Sequence, residues 1–164
     1  MKSLALTLLI IGCLSGVGLP SDSISRQQTK PALTLADEDD IREAVFRFQF
    51  THNNSGQQQN ANFYFLSVGK DKDPDDAFMR RFDQNSPPVK KRSQAVGNGE
   101  VFDKDSGKRG VIFRIARIEQ VTEDQALVDG GYFEADLSAS GNTYTVERQD
   151  HKWMVTKAQM HWIS

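Results

Sequence analysis

Between residues 37 and 52, apolar side chains return at helical spacing. Ile41, Ala44, Val45 and Phe48 form one stripe, and Phe46 and Phe50 form a second beside it. A helix with so wide an apolar face needs a surface to lie against. Asp37-Glu38-Asp39-Asp40 opens the segment, where carboxylates meet the positive end of a helix. The acidic run therefore reads as a helix start rather than a metal site. The spacing predicts an α-helix over 37–52, ended by Asn53-Asn54-Ser55-Gly56. Asn53-Asn54-Ser55 also fits a glycosylation acceptor, relevant only in a eukaryotic secretory path.

Beyond this helix the chain is mostly β. Residues 63–68 are aromatic and β-branched and read as a strand. Asp71, Asp73 and Asp75 alternate like the start of a calcium loop. That pattern fails at its sixth and twelfth positions, which hold Asp76 and Phe82. A short helix explains the residues better, with Asp73 as cap, Pro74 in the first turn, and Phe78, Met79 and Phe82 inward. Strands are expected at 89–96, 101–102, 111–121, 126–136, 142–149 and 153–163, joined by turn-rich segments. Gly130-Gly131 inside 126–136 marks a bulge or bend.

Helix first and strands last indicates an α+β fold. The expected architecture is a curved antiparallel sheet of four to six strands wrapped on one long N-terminal helix, plus a short helix. Burying five side chains of the helix at about 1.5–3 kcal/mol each would fix it on the sheet.

The N-terminus bounds the compartment. Lys2 precedes an apolar run over 4–14, too short to span about 30 Å of hydrocarbon. It reads as an export leader over 1–18, followed by a polar linker over 19–35 and one domain over 36–164. Ile10-Ile11-Gly12-Cys13 resembles a bacterial lipoprotein signal, which would make Cys13 a lipidated first residue. Cleavage after Gly16-Val17-Gly18 is the other reading. Either way the protein is expected outside the cytoplasm, in the periplasm or at the cell surface, touching membrane only through such a lipid. Cys13 is the only cysteine, so the domain can hold neither an internal disulfide nor a cysteine nucleophile.

Twenty basic and 22 acidic residues give a net charge of −2, which does not suit a nucleic-acid binder. Lys90-Lys91-Arg92 with Lys104, Lys108 and Arg109 would make a local basic surface if their strands pair. Phosphate-loop, dinucleotide, serine-hydrolase and zinc-protease motifs are missing from the sequence, and nothing in it asks for a cofactor or metal.

The order of elements looks like the cone-shaped α+β roll of the nuclear-transport-factor-two-like (cystatin-like) superfamily. Ser140-Gly141-Asn142-Thr143-Tyr144-Thr145-Val146, Lys152-Trp153-Met154-Val155 and Met160-His161-Trp162-Ile163-Ser164 also resemble exported bacterial proteins of uncharacterised function. The resemblance covers about 60–164 and implies a pocket between helix and sheet. It does not fix an activity, because such rolls serve as enzymes, binders and assembly domains.

Arg114, Tyr132, Tyr144, His161 and Trp162 are the candidate lining of that pocket, suited to an anionic or aromatic ligand. Asp129 and His161 are the candidate acid–base pair if the chain is an enzyme. The first reading is a non-catalytic domain binding a small ligand or an envelope protein. The enzyme is the alternative, and a module that forms homodimers through the sheet is the third.

Overall fold

A computed structural model describes residues 33–52, 55–97 and 99–164. The expected leader 1–18 with Cys13, nearly all of the linker, and Asn53-Asn54 lie outside the described residues. Among those described, no helix is long and apolar enough to cross a membrane.

Helix α1 spans Leu35–His52. It begins two residues earlier than the acidic run suggests, because Thr34 and Asp37 cap each other. The Thr34 hydroxyl accepts the Asp37 N–H (3.1 Å) and donates to the Asp37 carboxylate (2.8 Å). The end of the expected linker is thus part of the fold, and Leu33 packs on the core. Ile41, Val45 and Phe46 are fully buried; Phe48 and Phe50 are half-buried. Asp40 and Glu43 hold Arg81, which fastens the helix to the turn at Arg80–Phe82.

After the short α2 (Gly56–Gln59) come β1 (Phe63–Val68) and α3 (Asp76–Met79). The cap of α3 is Asp75, which accepts the Phe78 N–H at 2.8 Å, and not Asp73. Asp73 instead accepts the Ser93 N–H, and Asp76 pairs with Lys91. These contacts occupy Asp73, Asp75 and Asp76 of the run that looked like a calcium loop.

The expected strand 89–96 is broken by a 3-10 turn at Arg92–Gln94 into β2 (Val89–Lys91) and β3 (Ala95–Val96). β3 pairs with β4 (Phe102–Asp103) as a separate small ribbon. Four long strands come next: β5 (Gly110–Thr122), β6 (Gln125–Ala135), β7 (Ser138–Gln149) and β8 (Lys152–Ile163). Asp150 and His151, both at positive φ, form the two-residue turn between β7 and β8.

The large sheet runs β2-β1-β5-β6-β7-β8; it is curved and unclosed. It is not purely antiparallel: β1 lies parallel to both neighbours, β2 and β5, while the pairs from β5 to β8 are antiparallel. The main core lies between α1 and the sheet and includes Ile41, Phe46, Leu66, Phe113, Val128 and Val146. A smaller core on the outer face joins Phe65, Ala95, Val101 and Ile112. That second core explains why β1 and the start of β5 are apolar at successive positions: both of their faces are covered.

The expected basic surface does not form as a free patch. Lys90, Lys91 and Arg109 each meet a carboxylate, and Lys104 donates to the Ser93 carbonyl. The Lys90 partner is Asp103, 1 % exposed, whose other oxygen accepts the Ser106 hydroxyl and N–H. Lys90 and Ser106 hold the Asp103 carboxyl below its ordinary range, against burial, which pushes the other way. Thr34, with Trp153 and Arg148, does the same for Asp37. Carboxyls depressed in the fold bind fewer protons there than in the unfolded chain. Their stabilisation is complete above about pH 4 and is lost as pH falls through the folded value. Urea midpoints should therefore drop on acidification below about pH 4. Asp103→Asn should cost about 1.5–3 kcal/mol at neutral pH and flatten that drop. An unchanged acid profile in the variant would show that this pair is not responsible.

Candidate functional site

Alternation along the strands decides what the sheet offers on each face. In β6, Ala126 and Val128 point to α1, so Tyr132 does too, while Asp129 and Phe133 point away. In β5, Phe113 and Ile115 face α1, and Ile112 and Arg114 face outward. The candidate lining is therefore split. Tyr144 lies on the helix side, Tyr132 borders both that cavity and the smaller outer lobe, and Arg114, His161 and Trp162 line the outer side together with Asp129. The expectation that Asp129 and His161 share the space under the helix is corrected by this alternation.

The helix-side cavity opens where the C-terminal turn of α1 leaves the sheet. It encloses about 540 Å³ between Phe48, Gln49 and His52 of α1 and Tyr144, Met160 and Ile163 of the sheet. His52 stacks on Phe48 with ring centres 3.8 Å apart, and Phe48 meets the Tyr144 ring edge-on at 5.8 Å. Gln49 is buried on the stripe that carries Ile41 and Val45. Its Nε2 donates toward the carbonyls of Arg114 and Gly131 (both 3.4 Å) and the Tyr144 hydroxyl (3.2 Å). Those carbonyls fix the amide orientation, because Oε1 in that place would face two acceptors. Oε1 is then buried with no donor among the described residues. Burial pushes the Tyr144 phenol up, and burial with nearby Glu134 raises Tyr132, so both stay neutral donors. Glu134 itself is buried and accepts the hydroxyls of Ser55 and Ser138.

The outer cleft has two lobes that meet at Arg114, Asp71 and Trp162, of about 540 and 390 Å³. In the larger lobe, the Thr143 hydroxyl donates to Asp129 (2.7 Å) and lies 2.8 Å from His161 Nε2. With its one proton on Asp129, Thr143 can only accept from His161, so Nε2 carries the hydrogen. Arg117 adds two contacts to Asp129, at 2.9 and 3.2 Å. Thr143 and Arg117 together hold the Asp129 carboxyl below its ordinary range. Among the described residues, no cluster of three or more His, Cys, Asp or Glu could hold a metal ion.

Sequence reasoning passed over Gln49 and Ser67. Each is a lone polar residue inside an apolar run at a buried phase, and that mismatch was the available signal. No protein-family model, curated protein or solved structure matches this chain.

Proposed function

We propose that this protein is a non-catalytic, exported ligand-binding domain built as a cone-shaped roll of the nuclear-transport-factor-two-like kind. The strand order, the covering helix and the open end of the helix–sheet space support that reading. The observation that carries the binding role is the helix-side cavity itself, about 540 Å³ walled by Phe48, His52, Tyr144 and Met160. The remaining lining is aromatic, aliphatic or neutral polar, and its volume lies in the range of small-molecule sites. The ligand it fits is an uncharged ring carrying an N–H or O–H group. The enzyme alternative belongs to the outer face instead, where Asp129 and His161 line one cleft and are bridged by the Thr143 hydroxyl.

Ligand-observed NMR with indole and benzamide tests the reading. Met160, half-exposed on β8 at the cavity wall, can be enlarged without touching the core. Saturation transfer to both probes is expected with the native protein and should disappear in Met160→Trp. No transfer, or transfer that survives this block, overturns the proposal.

A further inference from the structure

One row of residues crosses five strands on the outer face. Ser67 of β1 is in register with Arg114 of β5, Arg114 with Gly131 of β6, Gly131 with Gly141 of β7, and Gly141 with Trp162 of β8. The two glycines leave bare backbone between a guanidinium and an indole. Three strand spacings separate Arg114 from Trp162, about 14 Å at the backbone, and both side chains reach over the gap. The indole lies across Gly141: a methyl group there would come within 2.2 Å of Trp162 Nε1.

This row is rich in unsatisfied donors. Of the arginines that are not exposed, Arg42, Arg81 and Arg148 hold carboxylates and Arg92 holds a backbone carbonyl. Arg114, half-buried in the floor where the two lobes meet, has no acceptor among the described residues. The Ser67 hydroxyl beside it is fully buried and also without a partner there. Lys70 and the Trp162 indole N–H add two more free donors at the rim of the cleft. The carboxylates in the cleft do not answer them. Asp129 is taken by Thr143 and Arg117, and Glu100 by Arg109, while Asp71 forms no ion pair with Arg114. A guanidinium, an ammonium and an indole N–H lining one cleft call for an anion. The adjoining smaller lobe is walled by Val96, Val101, Ile112, Phe133 and Ala139, which calls for an apolar body.

We propose that the outer face of the sheet is a second binding site, on the far side of the sheet from the helix-side cavity, for a small apolar carboxylate. Its carboxylate is received by the Arg114 fork, its ring lies against Trp162, and its apolar end fills the lobe beside Ile112 and Phe133. A carboxylate suits the site better than a phosphate. The cleft's cations, Lys70, Arg92 and Arg114, face Asp71, Asp129 and Glu100, which leaves little net positive charge for a dianion, and the planar fork of arginine matches two carboxylate oxygens.

The test tracks the indole N–H resonance of Trp162 by NMR while phenylacetate, phenylacetamide or phenyl phosphate is added to the intact protein. Phenylacetate is expected to shift it saturably, and phenylacetamide is not. Arg114→Gln should weaken phenylacetate about tenfold or more, with Arg114→Lys in between. Met160→Trp, on the opposite face, should leave the titration unchanged. The acid–amide comparison needs no variant, so it decides the matter even if Arg114→Gln fails to fold. Equal affinity for acid and amide, a titration untouched by Arg114→Gln, tighter binding of phenyl phosphate than phenylacetate, or no saturable shift each overturns the proposal.

Discussion

Phe46→Ala is expected to lower the free energy of unfolding by about 3–5 kcal/mol. The ring is fully buried and lies 6.1 Å from Phe78 and 6.4 Å from Phe82, centre to centre. Phe82 in turn meets Phe50 at 5.8 Å, and Phe50 meets Tyr64 at 4.8 Å and Phe113 at 5.0 Å. One aromatic network thus joins α1, the α3 turn, β1 and β5. Removing the Phe46 ring leaves a cavity between α1 and the α3 turn, against Phe78 and Phe82. Phe48→Ala is the comparison. That ring is half-buried at the cavity mouth, so its loss should cost about 1–2 kcal/mol. Urea unfolding with an unchanged slope reads both values. If Phe48→Ala proved the costlier of the two, the packing order described for α1 would be wrong.

The two rings differ because of the direction each faces, and direction is also where sequence reasoning met its limit. Spacing reveals that 37–52 is helical and that 63–68 is a strand, because periods of 3.6 and 2 are local properties. It does not reveal that β1 lies parallel to β2 and β5, since pairing depends on a long connection through α3 and the small ribbon. Part of the site was readable. Asp129 and Tyr132 are three residues apart on one strand, so alternation alone puts them on opposite faces. Ile41, Val45 and Gln49 are spaced four apart, so Gln49 sits on the buried stripe of its helix. The pairing of His161 with Trp162 was not readable. Neighbours on a strand should diverge, yet both line the outer cleft, because β8 is bulged at His161: Asn142 pairs with Met160 and Gly141 with Trp162. Ser67 beside Arg114 likewise comes from register between strands, which periodicity within a strand cannot supply.

Gly131→Ala should be at least as damaging as loss of a core ring, costing about 3 kcal/mol or more. A methyl group at 131 would come within 1.9 Å of the Ser140 carbonyl oxygen, which is backbone of the paired strand and cannot swing aside. At Gly130 the obstacle is the Arg114 carbonyl, at 2.4 Å. The glycines expected to form a bulge are themselves in register; the irregularity lies on β5, between Ile115 and Arg117. Close approach of strands, rather than a bend in β6, is what demands glycine here. Gly141→Ala separates the two causes, because there the nearest atoms to the methyl all belong to the Trp162 side chain, which is half-exposed and can turn away. Gly141→Ala should therefore keep most of the stability while moving the indole, visible as a changed fluorescence maximum and weaker phenylacetate binding. Gly131→Ala should lower the urea midpoint sharply. Equal stability losses at 131 and 141 would mean that both positions yield alike, and that the tight junction of β5, β6 and β7 is not what holds the floor of the outer cleft in place.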